Sequence, residues 1–243
     1  EEMFDRARRV ANGEGKDRQY GFSFSRYYYD DLYWGLDLYV APLGLRVIDE
    51  TAENMLVDSD QWERVLQSLI ALKTDKIMPE PPEYTDGPMP RPYNPFEMDA
   101  FMSGRLAMAV VQYNELNDVI SANMNAASIE GFTPIDWDIV PLPTHPEEPG
   151  VGGFINMDPI MGIAANAANP DDAWEFLKFI NSEDWAELKS RSLGMMVSRE
   201  AFIKTRDGLN YNIGAFYQLT PTLSSMNSFD PKLDPLLRQN LWQ

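Results

Sequence analysis

DWDIVPLP at residues 136–143 and IMGIAANAANPDDAWEFLKFINS at residues 160–182 are the two stretches that decide the fold. The first holds a short apolar run at 138–142 that is closed by prolines, which predicts a strand ending at a sheet edge. The second opens with another apolar run at 160–165, which predicts a second strand. Asn169 can then supply an N-cap oxygen, and Pro170 takes the first helical position, where its missing N–H is not needed. The order predicts strand, crossing loop, strand and capped helix, which is an α/β unit.

Composition indicates a globular protein whose partners are not polyanions. Of the 243 residues, 44% are hydrophobic and 24% are charged, so the chain can bury a substantial core. The formal net charge of −18 repels nucleic acids and anionic membrane surfaces, and it favours a neutral or cationic partner. There is no cysteine, so neither a disulfide nor a thiolate metal site can form. No apolar run approaches the roughly 20 residues that a membrane-spanning helix needs.

Periodic apolar residues and capping residues predict further elements along the chain. Helices are predicted to begin near Met3, Leu116 and Ser182, and to occupy 36–47 with a break near Pro42, 94–103 and 199–204. Another helix is predicted after Asp58 or Ser59 as its cap, with one apolar face formed by Trp62, Val65, Leu66, Leu69 and Ile70. Strands are predicted at 20–25 and 106–111. In the Ser182 helix, Trp185 and Leu188 are expected to face inward. The proline-rich segment from Met78 to Pro95 predicts an extended connection across the surface.

Two groups of residues are candidates for binding a ligand. The run from Tyr27 to Trp34 holds five large aromatic rings, whose flat faces and polar edges suit stacking on sugar rings. Packing in the core explains the same rings equally well, and both alternatives stay open. Tyr113 and Asn114 follow a predicted strand at its carboxyl end, which is where open α/β sheets bind their ligands.

The motifs of common catalytic chemistries are missing from the sequence. The single histidine, His145, lies in a proline-flanked polar loop, and we interpret it as a surface residue. There is no nucleophile elbow, phosphate-binding loop or zinc-protease motif, and the acidic pairs do not match a calcium loop. We therefore predict no catalytic residue, no metal and no cofactor. A pair of carboxylates for glycoside hydrolysis stays open, because their separation is spatial and not sequential.

Three stretches resemble motifs of one known family. FMSGRLAM at 101–108 is similar to Phe-x-x-Gly-Lys-x-Ala-Met, with Arg105 in place of the usual lysine. WDIVPLP at 137–143 resembles a strand ending in Leu-Pro, and IAANAANPDDAWEFLKFI at 163–180 resembles a strand followed by an Asn-Pro-x-x-Ala-Trp helix. In this order, the motifs resemble the extracellular solute-binding proteins, family 1, of bacterial ABC importers, which include maltose-binding protein.

The resemblance implies a periplasmic-binding-protein-like type II fold, in which two α/β lobes enclose a ligand. Residues 1–143 would form the first part of the C-lobe, 144–193 the inter-lobe crossing and the returning N-lobe segment, and 194–243 the second part of the C-lobe. The first part of the N-lobe, with a lipoprotein signal, is expected to precede Glu1. A fragment without it is expected to bind weakly or not at all, because half of the cleft is missing.

The function implied by the resemblance is non-enzymatic binding of a solute, with a mono- or oligosaccharide as the expected ligand. The protein would be a bacterial cell-surface lipoprotein or a periplasmic protein, would deliver its ligand to an ABC permease, and would touch the membrane only through the lipid anchor. The residues expected to contact the ligand are Tyr28, Tyr29, Trp34, Tyr113, Asn114 and Phe154. Two alternatives remain: a carbohydrate-active enzyme such as a glycoside hydrolase, or a surface module that binds a protein through its proline segment or acidic face.

Overall fold

The computed structural model describes most of the chain. The described residues are 2–27, 32–49, 54–79, 99–154, 161–193, 195, 197–206 and 208–222. For residues 16, 32–34, 154 and 192–193 the description is limited to the backbone. Most of the proline-rich segment, which was expected to cross the surface, therefore lies outside the described residues.

Six α-helices and one two-stranded sheet form the main regular structure of the described residues. The helices are α1 (Glu2–Val10), α2 (Leu32–Val40), α3 (Asp60–Thr74), α4 (Leu116–Met124), α5 (Pro170–Ile180) and α6 (Glu183–Leu188). Strands β1 (Val151–Phe154) and β2 (Thr220–Thr222) pair in parallel. The helix predicted at 36–47 begins earlier, at Leu32, and its predicted break is confirmed by a 3-10 turn at Ala41–Leu43.

Helix α3 shows how local sequence sets a helix boundary. Ser59 Oγ accepts a hydrogen bond from the Trp62 backbone N–H at 3.3 Å, which confirms a predicted cap. The buried face of the helix consists of Trp62, Val65, Leu69 and Leu72. Ile70 was predicted to share this face but is exposed, because the face is centred on the other four side chains and leaves Ile70 at its flank.

The largest core cluster forms where α1, α2 and α3 pack around the extended segment 20–24. Its buried side chains include Phe4, Phe22, Phe24, Leu36, Val40, Trp62 and Leu72. Phe22 meets Phe4 and Phe24 edge-to-face, with ring centroids 5.8 Å and 5.0 Å apart. A Cβ at Gly35 would lie 2.4 Å from the Phe24 ring, so glycine is what lets α2 approach that ring.

The segments predicted as strands at 20–25 and 106–111 do lie side by side. Tyr20 pairs with Leu106 and Ser23 with Ala109, both in parallel. The paired residues are three apart on each segment, whereas a regular ladder repeats every two residues. The segments therefore form isolated bridges and not a continuous sheet.

The strand predicted at 138–142 is wrong, because the described backbone there is irregular. Pro141 has no N–H to donate, and the Ile139 N–H is taken by the Asp138 carboxylate at 2.8 Å and not by a neighbouring strand. Val140 is 79% exposed, so the apolar run buries little. The strand of this region is β1, which lies in the glycine-rich part of the predicted crossing loop.

The second predicted strand, at 160–165, is likewise irregular over its described residues. Helix α5 begins at Pro170 as predicted, but the Asn169 side chain makes no capping bond; the Asn169 carbonyl accepts the Ala173 N–H at 3.1 Å. No side chain of α5 is buried, and Trp174 is 56% exposed. The apolar stripe of α5 is thus largely uncovered by the rest of the described chain.

Three short elements differ from their predictions. The Ser182 cap of α6 is confirmed, since Ser182 Oγ accepts the Trp185 N–H at 3.2 Å, but Leu188 is exposed and Ala186 is the buried residue of that helix. The helix predicted at 199–204 is a single 3-10 turn. Of the helix predicted at 94–103, the described residues form turns, because the Asp99 carboxylate binds the Met102 N–H at 2.8 Å and closes the chain locally.

Candidate functional site

The 3-10 turn Tyr113–Glu115 places two of the predicted ligand residues at the start of α4. Glu115 Oε2 accepts a hydrogen bond from the Gln112 backbone N–H at 2.7 Å, which fixes the beginning of the turn. Tyr113 is only 8% exposed, whereas Asn114 is exposed. The two neighbours therefore differ in what they can do, since Tyr113 packs in the interior and Asn114 is open to solvent.

Four aromatic side chains from three segments of the chain come together as the aromatic cluster, which consists of Tyr113, Trp137, Tyr211 and Phe216. The Tyr113 and Phe216 rings meet edge-to-face with centroids 5.2 Å apart, and the Trp137 and Tyr211 centroids are 5.5 Å apart. Leu116 of α4 packs in the same core cluster. Tyr211 is buried, whereas Trp137 and Phe216 are half-buried.

Burial keeps the hydroxyl of Tyr113 protonated. Desolvation, then the charge interaction and hydrogen bond with Tyr211, raises the pKa of Tyr113 to about 12. Burial also raises the pKa of Tyr217, whose hydroxyl donates to the Val197 carbonyl at 3.3 Å. These hydroxyls are therefore neutral hydrogen-bonding groups at physiological pH.

Exposed polar residues directly follow three of the four rings in sequence: Asn114, Asp138 and Asn212. The Asp138 carboxylate accepts the Asn212 backbone N–H at 2.9 Å and the Ile139 N–H at 2.8 Å. Both bonds stabilise the charged form and lower the pKa of Asp138. Asp138 thereby ties the segment that carries Trp137 to the segment that carries Tyr211.

A second constellation surrounds Arg26, a charged side chain that is only 2% exposed. Its Nη1 lies 3.3 Å from Asp99 Oδ2, and its Nη2 donates to Asp118 Oδ2 at 2.5 Å. Nη2 also donates to the Tyr27 hydroxyl at 2.5 Å, and Nε lies 3.9 Å from Glu115 Oε1. These five residues form the Arg26 network.

Three carboxylates surround one guanidinium in the Arg26 network. Burial raises the pKa of Asp99, against the lowering effect of the Met102 N–H and of the Arg26 charge. For Arg26, burial acts to lower the pKa, but the charge of Asp99 and the bond with Tyr27 outweigh it and the pKa is raised. The guanidinium therefore stays charged, and it holds together three separate segments of the chain.

Four of the six predicted ligand residues have no described side chain. Tyr28 and Tyr29 lie outside the described residues. Trp34 and Phe154 are described by their backbone alone, in α2 and β1. For all six predicted residues, including Tyr113 and Asn114, ligand contact stays a prediction.

Sequence reasoning missed Trp137, Tyr211 and Phe216 as partners of Tyr113. The last two lie among turn residues, where no periodic pattern indicates which side faces inward. Arg26 was also missed, because a single arginine beside an aromatic run gives no sign that distant carboxylates will surround it. The one available signal was Glu115, which follows Gln112 by three residues, the spacing of an N-cap residue and its partner in a capping box.

Three further observations concern metal-binding groups, membrane-spanning helices and the single histidine among the described residues. No group of three or more histidine or acidic side chains arranged to hold a metal ion occurs among the described residues. None of the helices described is long and apolar enough to cross a membrane. His145 Nδ1 accepts the Glu147 backbone N–H at 3.2 Å, so the single histidine supports its own loop.

Comparison with protein families relates most of the chain to one of them. The model of the bacterial extracellular solute-binding protein family matches residues 1–200. Neither the curated proteins nor the solved structures give a match. The matched range contains the Arg26 network, Tyr113 and Trp137, whereas Tyr211 and Phe216 follow it. The chain belongs to the family of bacterial extracellular solute-binding proteins.

Proposed function

We propose that this protein binds a carbohydrate outside the bacterial cell and delivers it to an ABC importer. Its family binds extracellular solutes for such importers, which supports the general part of the proposal. The finer part, a mono- or oligosaccharide as the solute, rests on the aromatic cluster. The proposed partner is the importer's permease, and the proposed location is the cell surface, through a lipid anchor, or the periplasm.

One observation carries the carbohydrate proposal, namely half-exposed rings beside neutral hydrogen-bonding groups. Trp137 and Phe216 are only half-buried, and aromatic rings of this kind suit stacking on the C–H face of a sugar ring. Asn114 and Asn212 supply exposed amides that can donate to and accept from sugar hydroxyls. Tyr113, which is buried, packs edge-to-face against the Phe216 ring.

Charge supports a neutral solute over an anionic one. The net charge of −18 opposes the approach of an anion at long range. Asp138, whose lowered pKa keeps it ionised, adds a local negative charge next to Trp137. A saccharide carries no charge and can use such a carboxylate as a hydrogen-bond acceptor.

The two-lobed arrangement is also a proposal. In it, residues 1–143 and 194–243 form the C-lobe, and residues 144–193 cross to the N-lobe and return. Pairing of Val151 with Thr220 supports this arrangement, because it joins the crossing segment to the second C-lobe part at one short sheet that can act as a hinge. The exposed apolar stripe of α5 is what a helix belonging to the other lobe would present. Closure would bring Tyr28, Tyr29, Trp34 and Phe154 to the ligand together with Tyr113 and Asn114.

Calorimetric titration of the full-length protein tests the proposal, because a fragment without the first part of the N-lobe is expected to bind weakly or not at all. The saccharide probes are glucose, galactose, maltose, cellobiose and raffinose, and spermidine and trialanine represent other solutes. We expect heat with at least one saccharide, and a loss of roughly tenfold or more in affinity for it in Trp137→Ala. Trp174→Ala, which removes an exposed indole outside the aromatic cluster, is the matched control and should bind normally. Binding of spermidine or trialanine alone would replace the carbohydrate proposal, and no heat with any probe would reject it.

The alternative functions give different results in simple assays. A glycoside hydrolase would release reducing sugar from oligosaccharides, and single Asp or Glu substitutions would abolish the release. We expect no release, in keeping with a family that is generally non-enzymatic. A protein-interaction module would retain a partner in pull-down when Trp137 is removed, and would lose it when residues 78–95 are replaced.

A further inference from the structure

A narrow space lies above Gly214, which belongs to the 3-10 turn Ile213–Phe216. A Cβ added to Gly214 would lie 3.3 Å from Asn212 Oδ1 and 3.5 Å from Gln218 Nε2. Outside its own turn, no other atom of the described residues would come within 4 Å of that Cβ. We call the space between these two side-chain amides the Gly214 notch.

The fold does not require a glycine at this position. Gly214 is not among the glycines whose φ is positive, so other residues can adopt its backbone conformation. Gly21 differs, since its added Cβ would meet the Ala7 backbone at 2.0 Å. At Gly214, the two nearest atoms belong to exposed side chains that can rotate aside. What the missing side chain provides is therefore open space between two amides.

The amides that border the notch are not used by the described part of the chain. Asn212 and Gln218 are exposed, and neither side chain makes a hydrogen bond there. The backbone of Asn212, in contrast, is fixed, because Asp138 Oδ1 accepts its N–H at 2.9 Å. Asp138 Oδ1 also accepts the Ile139 N–H, which leaves Oδ2 without a partner among the described residues. Three polar groups thus stand ready beside one another for a ligand.

The chemistry of these groups selects a hydroxyl as the occupant of the notch. Asn212 Oδ1 can only accept a hydrogen bond, and Gln218 Nε2 can only donate one. A hydroxyl does both at once, whereas a carboxylate has no proton to donate and an ammonium has no lone pair to accept with. Asp138 Oδ2 can accept a second hydroxyl of the same molecule. A ligand with several hydroxyls therefore fits this surface best.

The notch is joined to the aromatic cluster through the same stretch of chain. Tyr211 directly precedes Asn212, and Phe216 is the last residue of the turn that contains Gly214. The Phe216 ring is half-buried and packs against Tyr113, with centroids 5.2 Å apart. A sugar stacked on this ring would have its hydroxyls next to the two amides.

We propose that the Gly214 notch receives one hydroxyl of the bound saccharide and that Gly214 is a specificity-determining residue of the site. The inference rests on the proposed function and deepens it, because it names the part of the sugar that the protein recognises. A saccharide without a hydroxyl at that place would leave both amides without a ligand partner. A site built to bind a hydroxyl discriminates strongly against an analogue that lacks it.

Gly214→Ala tests the notch by filling it. Alanine can adopt the Gly214 backbone conformation, so the melting temperature should be equal to or above that of the unsubstituted protein. Gly162→Ala is the matched control, because its added Cβ meets nothing within 4 Å and it lies outside the aromatic cluster. Gln218→Ala removes the donor and leaves the space open.

Calorimetry of the full-length protein with glucose, galactose, maltose, cellobiose and raffinose measures the effect. For the saccharide that binds most tightly, we expect Gly214→Ala to weaken binding about tenfold or more, Gln218→Ala about fivefold, and Gly162→Ala not at all. In the double variant, Gln218→Ala should add no further loss to Gly214→Ala, because the hydroxyl no longer reaches the amide.

Two results would overturn the inference while leaving the proposed function intact. One is unchanged affinity in Gly214→Ala, which would mean that the ligand does not enter the notch. The other is a full fivefold loss from Gln218→Ala in the presence of Gly214→Ala, which would mean that the two residues act separately. No heat with any of the five saccharides in the unsubstituted protein would instead reject the proposed function, and the inference with it.

Discussion

A Cβ added to Gly21 would lie 2.0 Å from the carbonyl oxygen of Ala7, so α1 rests directly on the backbone of the extended segment 20–24. Ala7 is completely buried at this contact. A side chain at position 21 would have to push the helix away from the core, since the obstructing atoms are backbone and cannot rotate aside. The contact explains why the N-terminal helix, short as it is, packs firmly against the rest of the core.

Gly21→Ala is therefore expected to destabilise the protein by about 3 kcal/mol, at the upper end of the usual range for overpacking. Denaturant unfolding followed by circular dichroism measures the change. Gly162→Ala is the control, because its added Cβ meets nothing within 4 Å, and it should change stability by about 0.5 kcal/mol or less. Equal effects of the two substitutions would contradict the close approach of α1.

The cap of α3 gives a second prediction about stability. Ser59→Ala removes the side-chain acceptor of the Trp62 N–H and should cost about 1 kcal/mol. Ser68→Ala, in the interior of the same helix, is the matched control. Ser68 Oγ only donates to the Arg64 carbonyl, which is already used by the helix, so its removal should be neutral or slightly stabilising. A larger loss from Ser68→Ala than from Ser59→Ala would show that the cap does not matter.

Caps and helical stripes could be predicted from the sequence because they depend on residues a few positions apart. Ser59 and Ser182 cap helices as predicted, and Pro170 begins one. The strands at 138–142 and 160–165 could not be predicted correctly, because an apolar run becomes a strand only where another strand supplies hydrogen bonds. The same limit applies to Tyr113. Neighbouring residues predict the helix start at which Tyr113 lies, but the residues that its ring contacts come from distant segments.

The site shows the same division between local and distant information. The helix start at Tyr113 and Asn114 depends on nearby residues, because the Glu115 carboxylate accepts a backbone N–H just before them. The burial of Arg26 among carboxylates depends on distant residues. Asp99 and Asp118 lie next to Arg26 because whole segments of the chain pack together. Isolated charged residues look alike in a sequence with 38 acidic residues, so no pattern selects these.

Removing the charge of Arg26 should be far more damaging than removing an exposed charge. Arg26→Gln leaves Asp99 buried without its cation, and we expect a loss of about 3–5 kcal/mol in the free energy of unfolding. Arg26→Lys should lose less, because it keeps the charge but not the planar geometry that reaches several partners. Urea unfolding at neutral pH measures both changes.

The control for Arg26 is Arg6→Gln. Arg6 pairs with Glu2 at 2.7 Å, but both side chains are exposed to solvent, so the expected loss is below about 1 kcal/mol. If Arg26→Gln were as mild as Arg6→Gln, the Arg26 network would not contribute to the fold. In that case the carboxylates around Arg26 would have to be held in place by other contacts.

The buried hydroxyl of Tyr113 predicts loss of stability at alkaline pH. The pKa of Tyr113 is raised to about 12, above the value of about 10 expected in the unfolded chain. The folded state therefore keeps the proton longer, so this contribution is complete below about pH 10 and is lost as the pH rises to about 12. The loss amounts to roughly 3 kcal/mol.

Unfolding free energies measured from about pH 8 to about pH 12 should fall less steeply in Tyr113→Phe. Some slope will remain, because burial also raises the pKa of Tyr217. An unchanged slope in Tyr113→Phe would mean that the hydroxyl of Tyr113 titrates as an exposed phenol does.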